Sequence, residues 1–148
     1  MYYFAYGSNM NWMQMTQRCP SARFVSVARL KDHRFAITRQ SRRRKCGTAD
    51  VLPEYGSDVW GVVYDIDDSE LSVLDGFEDG YGREKMHVDP TGDGGRPIQA
   101  WVYIAEKEAS APLPNGTYKR LILEGARHWK LPQAYVEMLE DIEVADNK

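Results

Sequence analysis

The sequence predicts an α+β domain, a strongly curved or barrel-like sheet with flanking helices. Three observations carry this. Segments with strand and helix patterning come in the order strands, helix, strands, helices, without the βαβα alternation of a doubly wound fold. The run Val59-Trp60-Gly61-Val62-Val63-Tyr64 is apolar on both faces, as in a strand buried on both sides. The chain has 148 residues, 43% of them hydrophobic, enough for one core and not two, so one domain over 1–148 is expected.

Residues 2–6 are aromatic-rich and form the first strand, punctuated by Gly7 and Ser8. Residues 9–18 form a short helix stopped before Pro20. Phe24, Val25, Val27 and Leu30 mark a strand over 23–30, and 34–38 and 47–52 give further strands around a basic tip. The central strand runs over 58–66. A helix follows over 67–78, with Asp67, Asp68 and Ser69 as cap candidates, Leu71, Leu74 and Phe77 as its apolar stripe, and Gly80 as its stop. Residues 85–89 and 98–105 are a strand pair joined by the turn-rich 90–97. After a Pro-containing loop over 109–116, one helix spans 117–130. The last helix has Pro132 in its first turn and Tyr135, Met138, Leu139 and Ile142 on one face.

Charge is unevenly spread. Residues 1–45 carry eight Arg, two Lys and the single acid Asp32, a net of +9, whereas the whole chain carries −3. The plain reading is electrostatic mating of two halves of one domain. The sharper one is a positive field that draws an anionic substrate. The densest stretch, Arg42-Arg43-Arg44-Lys45, reads as a solvated hairpin tip, with no aromatic residue between Arg39 and Lys45 to stack a base. With a pI near 5.6, no nucleic-acid partner is expected. No apolar run approaches a membrane span and no secretory leader pattern is visible. Cys19 and Cys46 are expected to be two thiols rather than a disulfide, and the chain to be cytoplasmic.

His33, His87 and His128 stand in no metal-ligand frame, and no glycine-rich nucleotide loop is present, so neither metal nor cofactor is expected. Ser8 lies between a strand and a helix, but not in a G-x-S-x-G elbow. The Gly7-Ser8-Asn9 turn has a second use. Backbone N–H groups at a helix start converge on one spot and can hold an anion or oxyanion, although a plain helix cap reads equally well. Glu78 falls in line with Leu71 and Leu74 at i, i+3 and i+7. Burial and the negative helix end would both raise its pKa and suit it to acid/base work, unless the helix frays first.

Tyr3-Phe4-Ala5-Tyr6-Gly7-Ser8-Asn9, Val59-Trp60-Gly61-Val62-Val63-Tyr64 and Leu74-Asp75-Gly76-Phe77-Glu78 together resemble the γ-glutamylcyclotransferase family. Ala111-Pro112-Leu113-Pro114, Tyr118-Lys119, Gly125-Ala126, Leu131-Pro132 and Tyr135 extend the resemblance to the animal-type enzymes. It implies a mixed barrel whose cavity converts γ-glutamyl compounds into 5-oxoproline and a free amino acid, with a place in glutathione metabolism. It implies Glu78 as the catalytic residue. Tyr3, Phe4, Ala5, Tyr6, Gly7, Ser8 and Asn9 become the substrate-binding loop, and Tyr81 and Tyr118 substrate-lining residues. From the residues alone, Tyr118 reads equally as a core aromatic. The segment Asp79-Gly80-Tyr81 is shorter than the family's loop, which bears on what the cavity accepts. The expected partner is a small γ-glutamyl substrate, with a homodimer left open. Removal of γ-glutamyl tags from amines or natural products by the same ring closure is one alternative, and a non-catalytic binding or interaction module on the same fold is another.

Overall fold

The computed structural model describes residues 1–91 and 95–145. Its elements follow in the order β1 (Tyr2–Ala5), a 3-10 turn (Ser8–Met10), α1 (Trp12–Arg18), β2 (Arg23–Ser41), β3 (Cys46–Asp65), α2 (Asp68–Phe77), β4 (Tyr81–Pro90), β5 (Ile98–Ala105), α3 (Gly116–His128) and α4 (Gln133–Glu140). The strands close into a barrel in the order β1-β3-β2-β4-β5. β1 meets β5 in parallel at Tyr3 and Trp101, and the other described pairings are antiparallel. This is the α+β barrel-like sheet expected from the pattern, mixed as the resemblance implies, and closure leaves β1 no free edge.

Two expected breaks do not occur. Segments 23–30 and 34–38 are one strand, β2, and segments 47–52 and 58–66 are one strand, β3. The polar residues that look like loops are bulges. The β2–β3 register shifts between Phe24 and Ser26, Lys31 and His33, and Ile37 and Arg39, which bends the ribbon without ending it. At the middle shift, Asp32 takes φ 59° and its Oδ1 accepts from the Gly56 N–H at 3.0 Å. The first helix starts later than expected, at Trp12, because Asn11 caps it by accepting from the Gln14 N–H at 3.3 Å. Tyr135 and Leu139 of α4 are buried, but Met138 faces solvent. Pro132 precedes α4 as its cap rather than lying in its first turn. Of the turn-rich 90–97 connection, residues 92–94 lie outside the described residues. Cys19 and Cys46 are buried, and no disulfide links them.

The core joins buried residues of the barrel strands, from both faces of the sheet (Phe4, Val62, Val63, Val102), to buried residues of the 3-10 turn and the helices (Met10, Met15, Leu74, Ile122, Leu139). One contact sets the position of the turn after β1. Helix α3 crosses it at Gly125, where a Cβ would lie 2.4 Å from the Met10 carbonyl carbon, so only hydrogen allows that approach. Trp129 Nε1 donates to Met10 O at 2.9 Å and Tyr64 OH to Asn9 O at 2.8 Å. The turn is thereby gripped from two sides.

Candidate active site

Helix α2 ends at Phe77, and Glu78 is its cap, one residue beyond the last helical turn. Gly80, at φ +82°, completes the turn that lets the Tyr81 N–H bond Glu78 O at 3.0 Å. The helix stripe therefore does aim Glu78 at the molecule's interior, where it lines a cavity of about 260 Å³ and an adjoining inner recess of about 40 Å³. Burial pushes its carboxyl up to about 7. Arg18, Arg44 and Arg43 oppose that rise, and Asp75 adds to it. A carboxyl poised at neutrality can both take and give a proton at pH 7.

Asn9 holds that carboxyl. Its Nδ2 donates to Glu78 Oε1 at 3.4 Å and to Tyr3 OH at 3.0 Å. Its Oδ1 accepts from Gln14 Nε2 at 2.9 Å and Arg18 Nη1 at 3.1 Å. Both hydrogens and both lone pairs of the buried amide are thus engaged, which fixes its orientation. The 3-10 turn closes when the Met10 and Asn11 N–H groups bond Gly7 O and Ser8 O. The N–H groups of Gly7, Ser8 and Asn9 stand ahead of that first closed bond, and all three residues line the inner recess with Glu78. Ser8 Oγ accepts from Gln14 Nε2 at 2.8 Å and Arg44 Nη2 at 3.2 Å. Donors rather than a base therefore surround this hydroxyl, and no histidine is among the cavity lining.

Five tyrosines, Tyr3, Tyr6, Tyr81, Tyr103 and Tyr118, wall the recess. Burial pushes all five phenols up, so they remain neutral at pH 7. Tyr6 OH donates to Tyr103 O at 2.5 Å. Tyr81 OH lies 2.6 Å from Ala49 O and 2.9 Å from Thr48 Oγ1. Tyr118 OH accepts from the Ala49 N–H at 2.9 Å, which leaves its own hydrogen to donate into the cavity. Among the residues expected from sequence, Phe4 and Ala5 are buried and do not line either cavity. The others, Tyr3, Tyr6, Gly7, Ser8, Asn9, Glu78, Tyr81 and Tyr118, converge there.

The basic tip is a hairpin turn, as expected, but not a simply solvated one. The β2–β3 ribbon folds over so that Arg42, Arg43 and Arg44 join the cavity wall. Gly47 N–H bonds Leu113 O at 3.0 Å and Asn115 Nδ2 bonds Arg44 O at 3.3 Å, pinning the tip to the loop before α3. Sequence reasoning missed Arg18 and Gln14. The signal was present, for they stand at i and i+4 on one face of α1. It also missed Tyr103, which only the barrel's closure brings alongside Tyr3. No cluster of His, Cys, Asp or Glu able to hold a metal ion is present among the described residues, and no helix there is long and apolar enough to cross a membrane.

Residues 3–120 match the family described as Gamma-glutamyl cyclotransferase, AIG2-like. The Gamma-glutamylcyclotransferase of Mus musculus is 35% identical over 99% of this chain and 80% of its own length. That of Homo sapiens is 35% identical over 97% and 79%. A solved structure titled Gamma-glutamyl cyclotransferase superposes with a TM-score of 0.90 at 33% identity, covering 99% of this chain and 89% of the other. With a fold, a length and a sequence match in agreement, this chain belongs to the gamma-glutamyl cyclotransferase, AIG2-like family, a family of enzymes.

Proposed function

We propose that this protein is a γ-glutamylcyclotransferase that converts γ-glutamyl amino acids or peptides to 5-oxoproline and the free amino acid, with Glu78 moving the proton. The observation that carries the reading is a carboxyl near neutrality, fixed by Asn9 at the junction of a small recess and a wider vestibule. The recess takes the γ-glutamyl unit in a folded conformation. Glu78 removes a proton from its α-ammonium, and the freed amine attacks the δ-carbonyl carbon. The new N–C bond closes a five-membered ring as the amide C–N bond breaks. The proton on Glu78 goes to the departing nitrogen, and the second proton, shed by the new ring nitrogen, ends on the freed amine, which leaves as an ammonium. Holding amine and carbonyl together replaces a bimolecular encounter, an advantage equivalent to ~10⁵–10⁸ M in well-oriented cases. Proton transfer by Glu78 adds ~10²–10⁴-fold. N–H groups of the Gly7-Ser8-Asn9 turn stabilise negative charge on the substrate.

The test is release of 5-oxoproline from a panel of γ-glutamyl compounds by wild type and by Glu78→Gln. Gln is nearly isosteric but carries no proton to shuttle, so the variant should keep its fold and fall below a tenth of the wild-type rate. A Glu78→Gln protein above that level would remove Glu78 as the base. No 5-oxoproline from any compound would overturn the activity itself.

A further inference from the structure

The vestibule outside Glu78 is built from cations. Arg18, Arg42, Arg43 and Arg44 line it. None of the four has a carboxylate within 4.0 Å among the ion pairs of the described residues, although most other cations of the first 45 residues do. Besides Glu78, the one carboxylate lining the vestibule is the exposed Asp79. Three of these guanidiniums are held without acid partners. Arg18 and Arg43 lie over the Phe77 ring, 4.3 and 4.6 Å from its centroid. Arg44 lies 4.9 Å over the Tyr118 ring and donates to Ser8 Oγ and to Gln14 Oε1. Aromatic faces hold a cation in place while leaving its N–H edge open to an anion. Like charges gathered at one mouth repel one another, a cost that a bound anion would offset.

We infer that this vestibule is an anion subsite for the leaving half of the substrate, selecting γ-glutamyl compounds whose departing amine carries more than one carboxylate. An acidic amino acid or a further glutamyl unit is the chemical class that fits. The inference rests on the proposed ring closure, which seats the γ-glutamyl unit in the recess and sends everything beyond the scissile amide outward past Glu78. Arg18 and Arg44 also brace Asn9 and Ser8, so Arg42 and Arg43 are the residues through which the subsite can be probed separately.

The experiment compares kcat/KM for γ-glutamyl-glutamate and γ-glutamyl-glutamine, which differ only by a carboxylate against a carboxamide on the leaving side. Wild type should favour the acidic compound by about tenfold, as expected for a charge-assisted hydrogen bond. That preference should shrink as salt rises from about 0.05 to 0.5 M. In the Arg42→Gln/Arg43→Gln double variant, the ratio of the two kcat/KM values should fall to near one. A wild-type ratio at or below one overturns the inference. So does a double variant in which both substrates lose equally, since the arginines would then read the α-carboxylate common to both. If no γ-glutamyl compound is turned over, the enzymatic reading fails separately. Calorimetric Kd values for the same two compounds then decide the subsite, with equal affinities overturning it and tighter binding of the acidic compound upholding it.

Discussion

Tyr118 is a single residue on which two roles meet. Its ring is buried under Arg44 and its hydroxyl accepts from the buried Ala49 N–H while facing the cavity. From sequence, a core aromatic and a ligand contact are rival readings, and Tyr118→Phe should leave the melting temperature unchanged if the hydroxyl serves only the ligand. The structure changes that expectation. Removing the hydroxyl strands the Ala49 N–H, at ~1–3 kcal/mol, or a Tm loss of about 2–4 °C per kcal/mol for a chain of this size. If the hydroxyl also donates to the γ-glutamyl unit, kcat/KM should fall by roughly 10–150-fold as well. Thermal unfolding and steady-state kinetics on the same preparation separate the roles. A lowered Tm with wild-type kinetics would confine Tyr118 to the fold. Glu78 has its own signature. Because its carboxyl sits near 7 and the base form is the active one, kcat/KM of wild type should rise with pH up to about 7. That limb should be absent from the residual activity of Glu78→Gln, and its persistence there would assign it to another group.

At the scale of elements, the site depends on how closely α3 crosses the turn after β1. A methyl group at position 125 would press on the Met10 backbone, which Trp129 and Tyr64 already hold. Gly125→Ala should therefore cost ~1–3 kcal/mol through overpacking. It should also displace Asn9, and with it Glu78, so kcat/KM should fall although neither ligand-facing side chain is altered. Wild-type kinetics in a destabilised Gly125→Ala would mean that the turn tolerates the shift. The same crossing explains what was legible in the sequence. Glu78 could be found because a local stripe, Leu71 and Leu74, points to it, and the Gly7–Asn9 turn because a strand meets a helix start there. Phe77, on that stripe, looks like core but is a half-buried platform for Arg18 and Arg43. The difference depends on the tip, and the tip reaches Phe77 only because bulges bend a ribbon whose polar residues look like loop ends. A period of two or 3.6 carries no information about a bend built from three register shifts.

For the whole molecule, the charge split proves to be largely mutual neutralisation. Arg23 pairs with Asp65, Arg29 with Asp58 and Asp89, Arg34 with Glu54, and Arg39 with Glu106 and Glu108. These pairs are mostly exposed and contribute little each. Of the cations of the first 45 residues that such pairs leave over, all but Lys45 line the cavity, so the surplus field of that segment is concentrated at Glu78. Even there it does not overcome burial, and stability should depend on pH accordingly. Glu78 titrates near 7 in the folded chain against 4.5 unfolded. Its contribution is fully present below about 4.5 and is lost as pH rises through about 7, because the folded state must then bury a charge that the unfolded state exposes. Asp65 works in the opposite direction. Hydrogen bonding to the Met1 ammonium holds its carboxyl below the usual range, with Arg23 assisting. Its contribution is present above its unfolded pKa and fades as pH falls. Wild type should thus be most stable in mildly acid solution and weaken toward pH 8. Glu78→Gln removes the alkaline decline and leaves the acid one. At pH 8 it should exceed wild type by on the order of 2 kcal/mol, discounted from the full shift for partial exposure, while at about pH 4, below the unfolded pKa of Glu78, the two should match. Urea unfolding at both pH values measures this directly. Equal wild-type and Glu78→Gln stabilities at pH 8 would mean that the arginines compensate the buried carboxylate in full, leaving Glu78 charged at neutrality and able to accept a proton but not to hold one for the leaving amine.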